Sequence, residues 1–281
     1  MLQEMWIGGE FVPASSGETF AVENPYTEQI IAHVPAGTAA DAGRAVDAAL
    51  EAFEQWRRIP AVQRADYLHE IARRLRAAES RIARQMSLEG GKPLVENLDE
   101  VGWSAACFDY YAELGRHSRG RVIPSIEPSQ LSLVLKEPYG VVACIVPWNY
   151  PLLLMAWKVA PALAAGNTVV VKPSSVTPLS ALILTEVLDH LPPGTVNLVP
   201  SHREAADHQA IGIDKMPLLF HLGRFDRPGD LAESLHGWSN PYGLPRTGIP
   251  GCAGKAAHSS KTLPESSIPG LLRGGKIIPL R

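Results

Sequence analysis

Between residues 141 and 199 two patterns alternate, and that alternation restricts the fold more than any other feature of the chain. VVACIV (141–146), NTVVVK (167–172) and TVNLV (195–199) are apolar runs with no sustained polar alternation. Such runs fit strands buried on both faces, as in a parallel sheet. Between them lie LLLMAWKVAPALAAG (152–166) and PLSALILTEVLDHL (178–191), both of helical length. Pro151 and Pro178 stand at the positions where proline can open a helix. Pro161, inside the first of these helices, predicts a kink or a break. The reading is β-α-β-α-β with short connections: an α/β fold, a Rossmann-like open parallel sheet with flanking helices. Ligands of such sheets sit beyond the carboxyl ends of the strands. Here those ends are PWNYP, KPSS and the segment that follows Pro200.

Upstream, residues 5–35 read as short strands and turns. Thr38 is an N-cap for the helix that follows, in which Val46, Ala49, Leu50, Phe53 and Trp56 recur at helical spacing and predict one buried stripe. A second helix opens near Pro60 and runs, directly or after a restart near Ser80, to Glu89, where GGKP stops it. A third spans roughly 94–114. Residues 121–138 read as extended.

Lys and Arg total 26 against 29 Asp and Glu, a net charge of −3, which argues against nucleic acid or an anionic membrane as the main partner. No apolar run approaches the ~18 residues of a membrane-spanning helix. The opening MLQEMWIGGEF has neither the basic nor the apolar region of a secretory signal. Cys107, Cys144 and Cys252 can form no disulfide framework and have no metal-ligand spacing, so a reducing compartment, the cytoplasm, is expected and no metal is. Pro and Gly total 29 over residues 1–200 and 19 over the last 81. That rise coincides with loss of hydrophobic periodicity, and it puts an organisational boundary near Pro200.

Two strand-end residues carry potential chemistry. Asn149 follows the first strand, and a neutral amide there can donate to a developing oxyanion without titrating. Taken alone, it reads first as a cap for the helix opening at Pro151. Lys172 ends the second strand, where a cation could meet ribose hydroxyls or phosphate. Taken alone, it reads as a solvated loop lysine.

The order of strand, P-W-N-x-P, helix, strand, K-P-S, helix and N-L-V-P resembles the cofactor-binding part of the NAD(P)-dependent aldehyde dehydrogenase superfamily. IGGEFV, ENPYTEQIIAHVP and EGGKP fit as well, so the resemblance covers about residues 5–200. It implies oxidation of a small-molecule aldehyde to a carboxylic acid with NAD or NADP. In that chemistry a cysteine thiolate attacks the aldehyde, an amide at the position of Asn149 helps hold the oxyanion, and a glutamate activates water. By the same resemblance Ile145, Val146, Pro147 and Trp148 line the cofactor cleft, and Lys172, Ser174 and Ser175 lie at the adenosine ribose. Many members carry glutamate where Ser175 stands. Its absence removes repulsion of a 2′-phosphate and implies tolerance of NADP. A homo-oligomer is implied too.

The resemblance divides the chain into a cofactor-binding domain (1–120 and 139–200), extended oligomerisation-type strands (121–138) and a divergent, loop-rich tail (201–281) with the catalytic domain missing. The fold expected is thus an incomplete aldehyde dehydrogenase fold. After Pro200 no glycine comes before Gly212, and the family's F-T-G-S, E-L-G-G-K and glycine-glutamine-cysteine motifs are absent. No nucleophile or base is found, and Cys252 lies in an unrelated context. Islands at Gly212–Lys215 and Gly254–His258 fit a coding sequence that shifts frame near each. The chain alone is expected to be inactive, its alternative role being a non-catalytic nucleotide-binding fragment.

Overall fold

The computed structural model describes residues 4–124, 127, 129–202, 218–221 and 277–279, the last two ranges as strand backbone. The chain groups into two compact units, residues 1–121 with 135–223, and residues 122–134 with 224–281.

The larger unit begins with the hairpin β1 (Met5–Ile7) and β2 (Glu10–Val12), then the paired strands β3 (Thr19–Asn24) and β4 (Gln29–Pro35). Four helices follow: α1 (Ala39–Trp56), α2 (Ala61–Ala77), α3 (Glu79–Gly90) and α4 (Leu94–Arg116). Thr38 caps α1 through a capping box, in which its hydroxyl accepts from the Asp41 N–H and the Asp41 carboxylate accepts from the Thr38 N–H. Of the expected α1 stripe, Val46, Ala49 and Trp56 are fully buried, but Leu50 is 42% exposed. Trp56 also donates its indole N–H to the Leu163 carbonyl at 3.1 Å. Such burial of large apolar side chains contributes about 1.5–3 kcal/mol each.

The sequence alternation then appears as β7 (Val141–Ile145), α5 (Pro151–Ala164), β8 (Thr168–Lys172), α6 (Pro178–Leu182), α7 (Thr185–Leu188) and β9 (Val196–Leu198). Of the kink or break expected at Pro161, the break does not occur. Pro161 lies in the last turn and removes one N–H, and the Ala165 N–H bonds to its carbonyl at 3.0 Å, so the ladder resumes. The single helix expected over 178–191 is instead two short ones. The Thr185 hydroxyl donates to the Leu182 carbonyl at 2.8 Å and so occupies an acceptor near the junction.

These strands join β10 (Leu218–His221) in a six-stranded sheet of order β10-β7-β8-β9-β1-β2. Pairing is parallel from β10 to β9 and antiparallel at β1 and β2. Alternate residues of the central strands enter separate cores. Val142, Cys144, Val169 and Val171 pack with the helices α2 to α7, whereas Val141, Ala143 and Val170 pack with Ala45, Val46 and Ala49 of α1. Coverage on both faces is what a parallel sheet requires.

The smaller unit holds a three-stranded sheet of order β11-β6-β5, from β11 (Ile277–Pro279), β6 (Gln130–Val134) and β5 (Arg121–Ile123). The segment 121–138, expected to be extended, supplies β5 and β6. β11 pairs antiparallel with β6.

Candidate functional site

The chain runs from β7 to β8 to β9 in one direction across the sheet, then crosses back to place β10 on the other side of β7. The strand order thus reverses between β7 and β10, whose carboxyl ends lie side by side with His221 level with Ile145, and this is a topological switch point, where open α/β sheets take their ligands. Ile145 lies level with Lys172, and the Val146 N–H donates to the Lys172 carbonyl at 3.0 Å. Asn149 follows four residues beyond the end of β7.

Two helices leave this edge in the same manner. α5 begins with Pro151, which has no N–H, and the cap residue Tyr150 makes no side-chain cap. The N–H groups of Leu152 and Leu153 both donate to Glu100 Oε1, at 2.9 and 3.0 Å, across from α4. The other oxygen of this wholly buried carboxylate pairs with Lys92 Nζ. Lys92 in turn lies 4.1 Å from the centroid of the Tyr150 ring. α6 begins with Pro178, and the N–H groups of Leu179 and Ser180 donate to the two oxygens of Glu89. Burial pushes the Glu89 carboxyl up to about 8, against the hydrogen bonds from Ser180 and Leu179 that hold it down. Both helix N-termini are thus filled by the chain's own carboxylates.

Glu100 satisfies the α5 donors, so Asn149 is not their acceptor, and it stands exposed on the turn. Trp148 beside it is 58% exposed. Both border a cleft of about 130 Å³ that also meets Lys92, Asn97 and Thr177. Ile145 and Pro147 are half-buried, and Val146 is buried. Lys172 is only 8% exposed, which corrects the reading of it as a solvated loop lysine. Ser174 and Ser175 are half-buried, and the Ser174 hydroxyl accepts from the Val176 N–H at 3.2 Å.

Three further groups lie close to this edge or beneath it. Lys158 on α5 is buried and donates to the Ile145 carbonyl, and desolvation lowers its pKa to about 8. Burial raises the Cys144 thiol to about 12, eased only by Lys158, and the Cys107 thiol to about 11. Both cysteines are packed core groups, as their sequence context indicated. Cys252 and the segment 203–217 lie outside the described residues. Among the described residues no acidic, His and Cys cluster could hold a metal, and no helix is long and apolar enough to cross a membrane.

Sequence reasoning missed Glu89, Lys92, Glu100 and Lys158. A signal existed for α5 alone: a proline at its first position preceded by Tyr150, which cannot cap, demands an acceptor from elsewhere, whereas Thr177 before α6 reads as a cap and makes none. Lys158 is the single charge in α5.

The model of the aldehyde dehydrogenase family matches residues 11–218. The chain belongs to the aldehyde dehydrogenase family. This aldehyde dehydrogenase chain is 38% identical over 221 residues to lactaldehyde dehydrogenase of Escherichia coli (strain K12), covering 78% of itself and 46% of that protein. It is 43% identical over 205 residues to aminoaldehyde dehydrogenase 2 of Zea mays, covering 69% of itself and 40% of that protein. A betaine aldehyde dehydrogenase variant of Staphylococcus aureus, solved with NAD+, superposes with a TM-score of 0.74 at 36% identity, covering 77% of this chain and 45% of that one. An NADP-dependent enzyme of E. coli superposes with a TM-score of 0.72 at 37% identity, covering 74% and 44%. The aldehyde dehydrogenase chain thus spans less than half the length of the curated relatives it matches.

Proposed function

We propose that this chain binds NAD or NADP at the carboxyl edge of β7 and β8, and that it binds without turning over. Ile145, Val146, Pro147 and Trp148 would line the crevice at the strand crossing. Lys172, Ser174 and Ser175 would contact the adenosine ribose. The donor set fits: an ammonium and two hydroxyls, with no acidic residue in 145–151 or 172–178. The segment 172–178, having no carboxylate of its own, does not repel a ribose 2′-phosphate, which supports tolerance of NADP alongside NAD.

The nicotinamide, when bound, would supply the hydride acceptor for oxidation of an aldehyde. Asn149 would donate a side-chain N–H to the carbonyl oxygen as negative charge develops. The observation that carries the reading is Asn149, exposed beside the switch point and released from capping by Glu100. Formation of a carboxylic acid also needs a nucleophile and a base. Cys107 and Cys144 cannot supply a thiolate, because burial keeps both thiols neutral.

Titration with NAD and with NADP, followed by tryptophan fluorescence, tests the binding. Both are expected to saturate, with affinities within about tenfold of each other. Lys172→Ala weakens both. Absence of binding overturns the reading, and NAD binding about a hundredfold tighter than NADP overturns the tolerance. A burst of NADH on adding a short aldehyde overturns the absence of turnover.

A further inference from the structure

We infer that Glu100 and Lys92 are positioning residues that hold the turn 147–150, and so set where Asn149 and Trp148 stand. The inference rests on the functional reading just given. Asn149 is joined on its carboxyl side to Tyr150, and nothing in the turn's own sequence fixes it except Pro147 and Pro151. Glu100 grips the first two available N–H groups of α5 with one oxygen and Lys92 with the other. Lys92 then closes the loop over the Tyr150 ring. The carboxylate is anchored on a helix that packs along α5, and the Ser104 hydroxyl donates back to the Glu100 carbonyl at 2.7 Å. The turn is thereby tied at two points, through the helix start and through the Tyr150 ring. A neutral side chain at position 92 removes the contact on Tyr150 and leaves the buried Glu100 carboxylate without its cation, so both holds weaken.

The test uses the full chain labelled with 5-fluorotryptophan. The Trp148 resonance, assigned by Trp148→Phe, reports on the turn. The Trp56 resonance, from a wholly buried ring, reports on the core. Lys92→Met is expected to shift or broaden Trp148 and leave Trp56 in place. Lys92→Arg, which keeps a cation for both Glu100 and Tyr150, is expected to restore Trp148. Glu100→Gln gives the larger change, and if it fails to fold, the pair at position 92 decides alone. An unchanged Trp148 signal in Lys92→Met overturns the inference, as does failure of Lys92→Arg to restore it. Affinity for NAD is expected to fall about tenfold in Lys92→Met and to recover in Lys92→Arg. Failure of the unmodified chain to bind NAD counts against the functional reading only, since the fluorine signal still reports the positioning.

Discussion

Ser180 donates both its backbone N–H and its hydroxyl to Glu89, a residue 91 positions earlier in the chain. The pair ties the first turn of α6 to the end of α3 at a site that water does not reach. Glu89 is 2% exposed, and burial raises its carboxyl from an ordinary 4.5 to about 8.

The sign of the resulting pH dependence follows from that direction. A carboxyl whose folded value is raised holds its proton in the folded chain while the unfolded chain has lost it. The stability it contributes is fully present below about 4.5 and is lost as pH rises through about 8. Thermal unfolding from about pH 5.5 to about pH 8.5 is expected to show a falling Tm that Glu89→Gln flattens. The His69 value, raised by Glu113 and Asp109, gives a trend of the same sign in both proteins, so the difference between the curves isolates Glu89. Parallel curves would refute this.

Asn149→Ala is expected to leave stability unchanged to within about 0.5 kcal/mol, the usual range for exposed positions. A capping asparagine would cost about 1 kcal/mol when replaced. Urea denaturation distinguishes the two, and a loss near the larger figure would return Asn149 to a structural role.

Thr38→Ala is expected to cost about 1 kcal/mol, because it removes the hydroxyl that satisfies the Asp41 N–H. Burial raises the Asp41 carboxyl, but hydrogen bonds from the Thr38 N–H, Arg44, the Thr38 hydroxyl and the Ser15 N–H outweigh it and hold it below the usual value of 3.8. That contribution is present above the unfolded value and disappears as pH falls through the folded one. Urea titrations at neutral pH and near pH 3 measure both effects. Equal stability of the variant at neutral pH would contradict the capping geometry.

Gly194→Ala and Gly17→Ala separate backbone strain from collision. Both glycines have positive φ, 79° and 70°, so alanine costs about 1 kcal/mol at either on conformational grounds. A Cβ at Gly17 meets nothing within 4 Å, whereas one at Gly194 would stand 2.6 Å from the Ala48 carbonyl oxygen. Gly194→Ala is expected to be the more damaging by at least ~1 kcal/mol in chemical denaturation. Equal losses would mean that the α1 backbone gives way.

The parallel strands were legible because residues covered on both faces leave unbroken apolar runs, and the Thr38 cap because its partner is three residues away. Cys144 was readable as core for the same reason as its strand. Leu50 was not, since a helical stripe gives the direction of burial but not its width. Glu89 and Glu100 escaped because each serves a helix start 52 to 91 residues further on, a separation that no local pattern encodes. The chemistry of Asn149 alone left it between cap and donor, and only the resemblance favoured the donor. Its freedom depends on whether a distant carboxylate takes over the cap.

The two-sided core has a consequence for the binding edge. Moving β8 by one residue against β7 would exchange each of the valines 169–171 between the α1 side and the α5 side, so such a slip is resisted by the interior on both faces. The level at which Lys172 meets Ile145 is therefore set by packing well away from the crevice. A substitution that loosens the sheet's middle would misalign its mouth without touching any residue there.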